Sequence, residues 1–378
     1  AVKMLGERAG VALPQTSMSE EDRKERGIRD RLLEINKIAA TYYYRQLRSE
    51  NGKAGLDYLK KRELSDSTIN SFGLGYATQS TGNLYKLLKD KGYDDDILKE
   101  SGLFTYERGI HEKFWNRVIF PIMDINNKVI GFGGRVMGDA KPKYLNSPET
   151  RLFDKSRNLY GLNIARMSRK PNMIICEGYM DVISMHQAGF NQAVASLGTA
   201  LTPGHARLLK RYTDNVLITY DSDEAGVKAA LRAIPILKEA GLSTKVINMR
   251  PYKDPDEFIK AMGAEAFQER IDNAENSFMY EIGTMLRNYD RGDPESETAF
   301  EREVAAKLVT FKEKLERDNY LKAVCRQFMI PEDGMRQMVS RLGNQEGIIS
   351  RNAGAGTMQP TVERKPKKKR EDGLRQAE

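Results

Sequence analysis

Three short acidic clusters are the residues best suited to do chemistry: Glu177 with Asp181, Asp221-Ser-Asp223, and Asp254-Pro-Asp-Glu257. Carboxylates held close together repel one another and resist ionisation, so a cluster without a function would cost stability. A hard divalent cation removes that cost. An all-oxygen donor set without His or Cys suits Mg²⁺, with Mn²⁺ as its substitute. Mg²⁺ shares its shell with water and phosphate oxygens, so this donor set points to phosphoryl chemistry. Any single acid is weak support, because an Asp at a strand end is commonly a turn residue or a helix cap, as Asp223 could be. The ordered series carries the reading. Two cysteines, Cys176 and Cys325, and three scattered histidines, His111, His186 and His205, offer neither a disulfide framework nor a zinc site.

The elements around these acids alternate clearly. Apolar runs predict strands over 173–176, 192–196, 216–220 and 245–249. Helical patterns follow over 180–188, 203–212, 224–240 and 255–262, the first and third ended by Gly189 and Gly241. Four strand–helix units predict an α/β fold: a mostly parallel sheet with helices on both faces. Three of the four strands then end in acids at the carboxyl edge, where open α/β sheets bind ligands. Glu177, Asp221 and Asp223 come from different strands yet should converge on one crevice.

Upstream the chain is basic. Residues 111–170 hold 12 Lys and Arg against 5 acids, a local charge of +7 in a chain of net +8. Such a segment favours polyanions, nucleic acid or nucleotide phosphates. Arg117 to Met123 and Lys128 to Phe132 read as a hairpin turned at Asp124 to Asn127. The 141–148 loop is framed by Pro142 and Pro148 and is not a helix interior. Helices are expected over 29–47, 53–61 and 80–91, and residues 14–27 read as a polar linker. Five parts are therefore expected: 1–27, the remnant of an upstream module and linker; 28–170, a basic α+β subdomain; 171–262, the parallel-sheet subdomain; 263–343, a helical subdomain; and 344–378, a disordered basic tail. No apolar run is long enough to span a membrane and no apolar leader opens the chain, so a cytoplasmic protein without membrane partners is expected.

Glu177-Gly-Tyr-Met-Asp-Val182, Leu197-Gly-Thr199, Tyr220-Asp-Ser-Asp-Glu-Ala-Gly226 and Lys253-Asp-Pro-Asp-Glu257 resemble the acidic motifs of the TOPRIM fold. Primases, topoisomerases, recombination mediators and some nucleases share that fold. Arg117-Val-Ile-Phe-Pro-Ile122, Gly131-Phe-Gly-Gly-Arg135, Pro142-Lys-Tyr-Leu-Asn-Ser-Pro-Glu-Thr150, Phe153-Asp-Lys155 and Leu159-Tyr-Gly161 resemble the basic motifs of the bacterial DnaG-type replicative primase. The likeness covers roughly 20–343 and corresponds to the RNA polymerase core.

The resemblance implies a nucleotidyltransferase that makes short RNA primers on single-stranded DNA from ribonucleoside triphosphates. It implies Asp221, Asp223 and Asp254 as principal metal ligands, Asp181 and Asp256 in support, and Glu177 as general base or shared ligand. Arg135, Lys143, Asn146 and Tyr179 would hold the nucleotide, and Arg117 and Lys155 the triphosphate or template. The family's zinc ribbon has no counterpart here, so no zinc is expected in this fragment. A replicative helicase would be met through a domain missing here. Rival readings are a nuclease or topoisomerase fragment on the same fold, or a non-enzymatic recombination-mediator-like DNA-binding module.

Overall fold

The computed structural model describes residues 19–107 and 109–345. Of the expected upstream segment 1–27, residues 1–18 lie outside the described residues, as do residues 346–378 of the expected tail 344–378. The chain divides into two compact units, 1–281 and 282–378.

In the first unit a helix, Glu20–Leu47, lays Leu32, Ile35, Ala39, Tyr43 and Leu47 into the core at helical spacing. It begins well before 29, which corrects the reading of 14–27 as a linker from Glu20 onward. Its first turns carry no apolar stripe and are exposed. They are held by a capping box: Asp22 N–H donates to Ser19 Oγ at 3.0 Å, and Ser19 N–H donates to Asp22 Oδ2 at 3.2 Å. Glu20, Glu21 and Asp22 also complement the positive end of the helix.

The basic segment builds an antiparallel sheet from β1 (Gly75–Ala77), β4 (Arg117–Met123), β5 (Val129–Val136) and β6 (Tyr144–Asn146), in the order β1-β4-β5-β6. The predicted hairpin is the β4–β5 pair, with Arg117 opposite Val136 and a register irregularity at Ile122/Met123. A two-stranded ribbon of β2 (Phe104–Thr105) and β3 (His111–Glu112) lies between β1 and β4 in the chain.

The second sheet holds β7 (Met173–Cys176), β8 (Ala193–Ala195), β9 (Asn215–Ile218), β10 (Ser243–Val246) and β11 (Glu275–Asn276), in the order β11-β10-β9-β7-β8. β8, β7, β9 and β10 run parallel, as expected; β11, which the periodicity misses, pairs antiparallel with β10. Alternation along β7 sends Ile174 and Cys176 to one core, with Met180, Val182, Ile183 and Phe258. It sends Met173 and Ile175 to another, with Ala206, Leu209, Ala230 and Ile234. Both faces are thus covered by helices, which explains why the strands read as unbroken apolar runs. The helix Pro255–Asp272 breaks at Gly263, whose φ is 85°. The second unit is helical, with Pro294–Val309, Lys314–Phe328 and Glu332–Gln345 packing Phe300, Val304, Leu308, Leu321 and Val324 into a core of their own.

Candidate active site

β7 and β9 are neighbours, but the chain leaves them in opposite directions, to β8 on one side and to β10 on the other. That reversal opens a crevice at the carboxyl edge. Glu177 follows β7, Asp221 and Asp223 follow β9, and Asp254 follows β10, so the acids lie beyond three contiguous strand ends. The loops are tied together: Asp221 N–H donates to Glu177 Oε1 at 3.1 Å, and Ser222 N–H donates to Lys253 O at 2.8 Å. Asp223 and Asp254 cap the helices Glu224–Glu239 and Pro255–Asp272, each through Oδ1, accepting from Gly226 N–H at 2.9 Å and Glu257 N–H at 2.8 Å. Gly226 must be glycine, because a Cβ there would meet Asp221 O at 2.1 Å.

Burial, and then Asp221 and Asp223, push the Glu177 carboxyl up. Asp221 is raised by burial and by Asp254, against the pull of Lys253, whose Nζ lies 3.4 Å from Asp221 Oδ2. Asp181 is pushed up to about 8 by burial, then by Asp254, Asp221 and Asp256, against a hydrogen bond from Gly178 N–H at 3.0 Å. Among the described residues no three His, Cys, Asp or Glu are drawn tightly enough to enclose an ion as they stand. The donor chemistry nonetheless fits one. Glu177, Asp223 and Asp254 each give one oxygen to a backbone N–H, and among the described residues the other has no hydrogen bond or ion pair. Among the described residues, the only counter-ion to Asp221 is a lysine that is largely exposed.

Asp256 is different. It is buried, and its oxygens are taken by Ser184 Oγ, by Arg62 at 3.1 Å and by Lys260 at 2.9 Å. These contacts anchor the helix that carries Asp256 and position Arg62. Arg117 is buried too: its guanidinium donates to Gly134 O at 3.1 Å and Pro142 O at 3.0 Å and pins the proline-framed loop. Tyr179 is buried, stacked on Phe120 with ring centres 4.8 Å apart, and its hydroxyl donates to Asn146 Oδ1 at 2.8 Å. Asn146 donates in turn to Leu197 O at 2.8 Å. Both therefore join the antiparallel sheet to the parallel one.

The join sets a basic edge against the acids. Arg135, on β5, lies over the Tyr58 ring at 4.2 Å and pairs across the strands with Tyr144. Lys143 is exposed, and among the described residues its ammonium has no partner. Tyr144, which sequence reasoning passed over, is a surface aromatic whose hydroxyl is pushed up to about 12 by burial and by Tyr58. Arg135 and Arg62 oppose that rise while Asp181 adds to it. Its position beside Lys143 in the proline-framed loop was the available signal. Lys155 lies near Lys113, whose ammonium is lowered by burial and then by the Lys155 charge. A cavity of about 440 Å³ opens beside Glu177, lined by Thr199, Leu201, Tyr220 and Arg232 among others.

Paired sheets of this kind define a class. Residues 174–259 match the Toprim-like family model, and residues 42–166 match the model for the DNA primase catalytic core, N-terminal domain. A DNA primase domain from Pseudomonas aeruginosa superposes with a TM-score of 0.70 at 34% identity, covering 82% of this chain and 99% of that one. A structure of the DnaG primase catalytic domain bound to ssDNA has a TM-score of 0.67 at 32% identity, covering 85% and 97%. The chain belongs to the DnaG primase family, in the part that forms its catalytic core. The DNA primase of Clostridium acetobutylicum is 40% identical over 362 residues, which make up 94% of this chain and 60% of that protein. No helix among the described residues is long and apolar enough to cross a membrane.

Proposed function

We propose that the chain polymerises ribonucleotides on a single-stranded DNA template, supplying the primer-making activity of a replicative primase. The observation that carries the reading is the meeting of Glu177, Asp221, Asp223 and Asp254 at adjacent strand ends with the Arg62, Arg135, Lys143 and Tyr144 edge. Acids alone would repel a triphosphate, and cations alone would bind it without activating a hydroxyl.

Asp221, Asp223 and Asp254 would hold the divalent cation, Mg²⁺ or Mn²⁺, with Asp181 in support and Glu177 as a shared ligand or base. When bound, that cation lowers the pKa of a hydroxyl and neutralises developing phosphate charge. Glu177, with its raised basicity, accepts the proton of the primer 3′-hydroxyl. The hydroxyl oxygen bonds to the α-phosphorus, the bond to the bridging α–β oxygen breaks, and pyrophosphate leaves. Lys143, Arg135 and Tyr144 hold the triphosphate and orient it for that attack. Lys155, with Lys113, holds phosphate of nucleotide or template. Lys253 neutralises Asp221 until the cation arrives.

Residues 28–170, 171–262 and 263–343 are proposed as basic, catalytic and helical parts; the two family matches, which fall within the first two, support this. A replicative helicase is proposed as a partner of the longer protein, and the cytoplasm as its place of action. The test is incubation of the chain with labelled ribonucleotides, Mg²⁺ and a bare single-stranded template. Template-dependent incorporation is expected; cleavage of the template, or binding without either, would favour a nuclease or a DNA-binding module instead.

A further inference from the structure

A second concentration of charge lies on the flank of the parallel sheet. Arg157, Arg207, Lys210 and Arg211 line one cavity of about 610 Å³, with Gly204, Leu208 and Ala240, and no carboxylate is part of its lining. Lys210 is tied at one end to Asp214 at 2.6 Å and to Gly241 O at 2.7 Å, beside the starts of β9 and β10. Asp214 and Asp221 bracket β9, so at about 3.3 Å per residue this end lies about 20 Å from the acids. Arg157 has an ion pair with Asp154 at 3.4 Å. Arg207 and Arg211 have no ion pair among the described residues. Arg207 lies on the helix Pro203–Leu209, and Lys210 and Arg211 lie in the turn that follows it.

The groove begins at the loop that carries Lys155. Thr202 Oγ1 donates to Ser156 O at 2.6 Å, and His205 Nε2 meets Lys155 O at 2.7 Å. Gly204 packs so close that a Cβ would meet Ser156 O at 2.5 Å. Arg157 thus follows Lys155 by two residues and opens onto the helix Pro203–Leu209.

We propose that this groove is a second nucleic-acid contact, in which the sugar–phosphate backbone of a single strand passing Lys155 runs along Arg157, Arg207 and Arg211. Cations gathered along one groove from a loop, a helix and the turn that follows it suit a chain of phosphates. The lining holds no aromatic ring on which a base would stack, so the contact is with backbone and independent of sequence. The inference rests on the reading of the chain as a polymerase on single-stranded template.

The test compares wild type, Arg207→Ala/Arg211→Ala and the rescue variant Arg207→Lys/Arg211→Lys. Fluorescence anisotropy over a salt series would use single strands of about 8 and about 30 nucleotides. The alanine pair is expected to bind the long strand about 10-fold more weakly, with a salt slope smaller by about 1.4, or about 0.7 per lost phosphate contact. The short strand should bind as to wild type, and the lysine pair should restore most of the loss. Unchanged affinity for the long strand, or equal loss for both lengths, would overturn the groove. Ribonucleotide incorporation by wild type in the same preparation tests the polymerase reading separately. A protein that incorporates nothing yet shows the length-dependent loss keeps the groove and loses that reading.

Discussion

The backbone N–H of Asp221 donates to Glu177 Oε1 at 3.1 Å, joining the ends of two adjacent parallel strands. The bond orients Glu177 and leaves its other oxygen for a cation or a proton. It also means that Asp221 can lose its carboxylate without losing this bond. Asp221→Ala should therefore abolish incorporation, by about 100-fold or more, while single-stranded DNA affinity changes little. Removing a like charge from the cluster should leave the metal-free melting temperature equal to or above that of wild type. Primer extension and thermal melting check the two halves; extension at the wild-type rate contradicts the ligand assignment.

Lys143 is exposed and its ammonium has no partner among the described residues. Lys143→Ala should leave melting within about 0.5 kcal/mol of wild type, as for other surface changes. It should raise the KM for ribonucleotide about 10-fold, the scale of one charge-assisted contact. Steady-state extension at varied nucleotide concentration measures this. An unchanged KM assigns the triphosphate to other cations.

Tyr179→Phe removes one buried hydrogen bond to Asn146 and should cost about 1 kcal/mol of stability. Because the ring stays stacked on Phe120, the nucleotide KM should hold. Chemical denaturation and extension kinetics decide between this positioning role and direct contact; a large KM increase with normal stability would restore the nucleotide contact.

The placing of the acids at the strand ends was legible in the sequence because a doubly covered strand reads as an apolar run, and the run must end in loop residues. Glu177, Asp221 and Asp254 follow directly. The sequence did not reveal which way a polar side chain turns. Arg117, Asn146 and Tyr179 have the right groups for a ligand, but Arg117 meets carbonyls of its own antiparallel sheet and loop, and Tyr179 and Asn146 meet an amide and a carbonyl brought near by the packing of the two sheets. Asp256 likewise meets Arg62, distant in the chain. The start of the Glu20–Leu47 helix escaped notice because caps and charge, not buried apolar residues, hold it. β11 is two residues long and carries no alternation to read.

His205 is a buried clamp on the Lys155 loop. Thr202 N–H donates to its Nδ1 at 3.2 Å, so the proton of the neutral ring sits on Nε2 and is given to Lys155 O. A second proton, on Nδ1, would face that N–H. Burial lowers its pKa, against Lys155 O, Asn158 and Asp154. Between the unfolded value near 6.5 and the lower folded value, the unfolded chain binds more protons, so stability falls as pH falls through that window. Denaturation midpoints from pH 7.5 to 5 should show a component, at most about 1.4 kcal/mol per pH unit, that His205→Gln removes. An unaltered pH profile in the variant contradicts the clamp.

The central claim is that the strand-end carboxylates perform chemistry rather than hold the fold or the template. Glu177→Gln keeps the shape and the Oε1 acceptor but removes the charge and most of the basicity. Primer extension and single-stranded DNA anisotropy on this one variant test the claim most directly. The account predicts wild-type DNA affinity with turnover reduced at least about 100-fold. Normal extension, or a loss of DNA affinity as large as the loss of turnover, would contradict it.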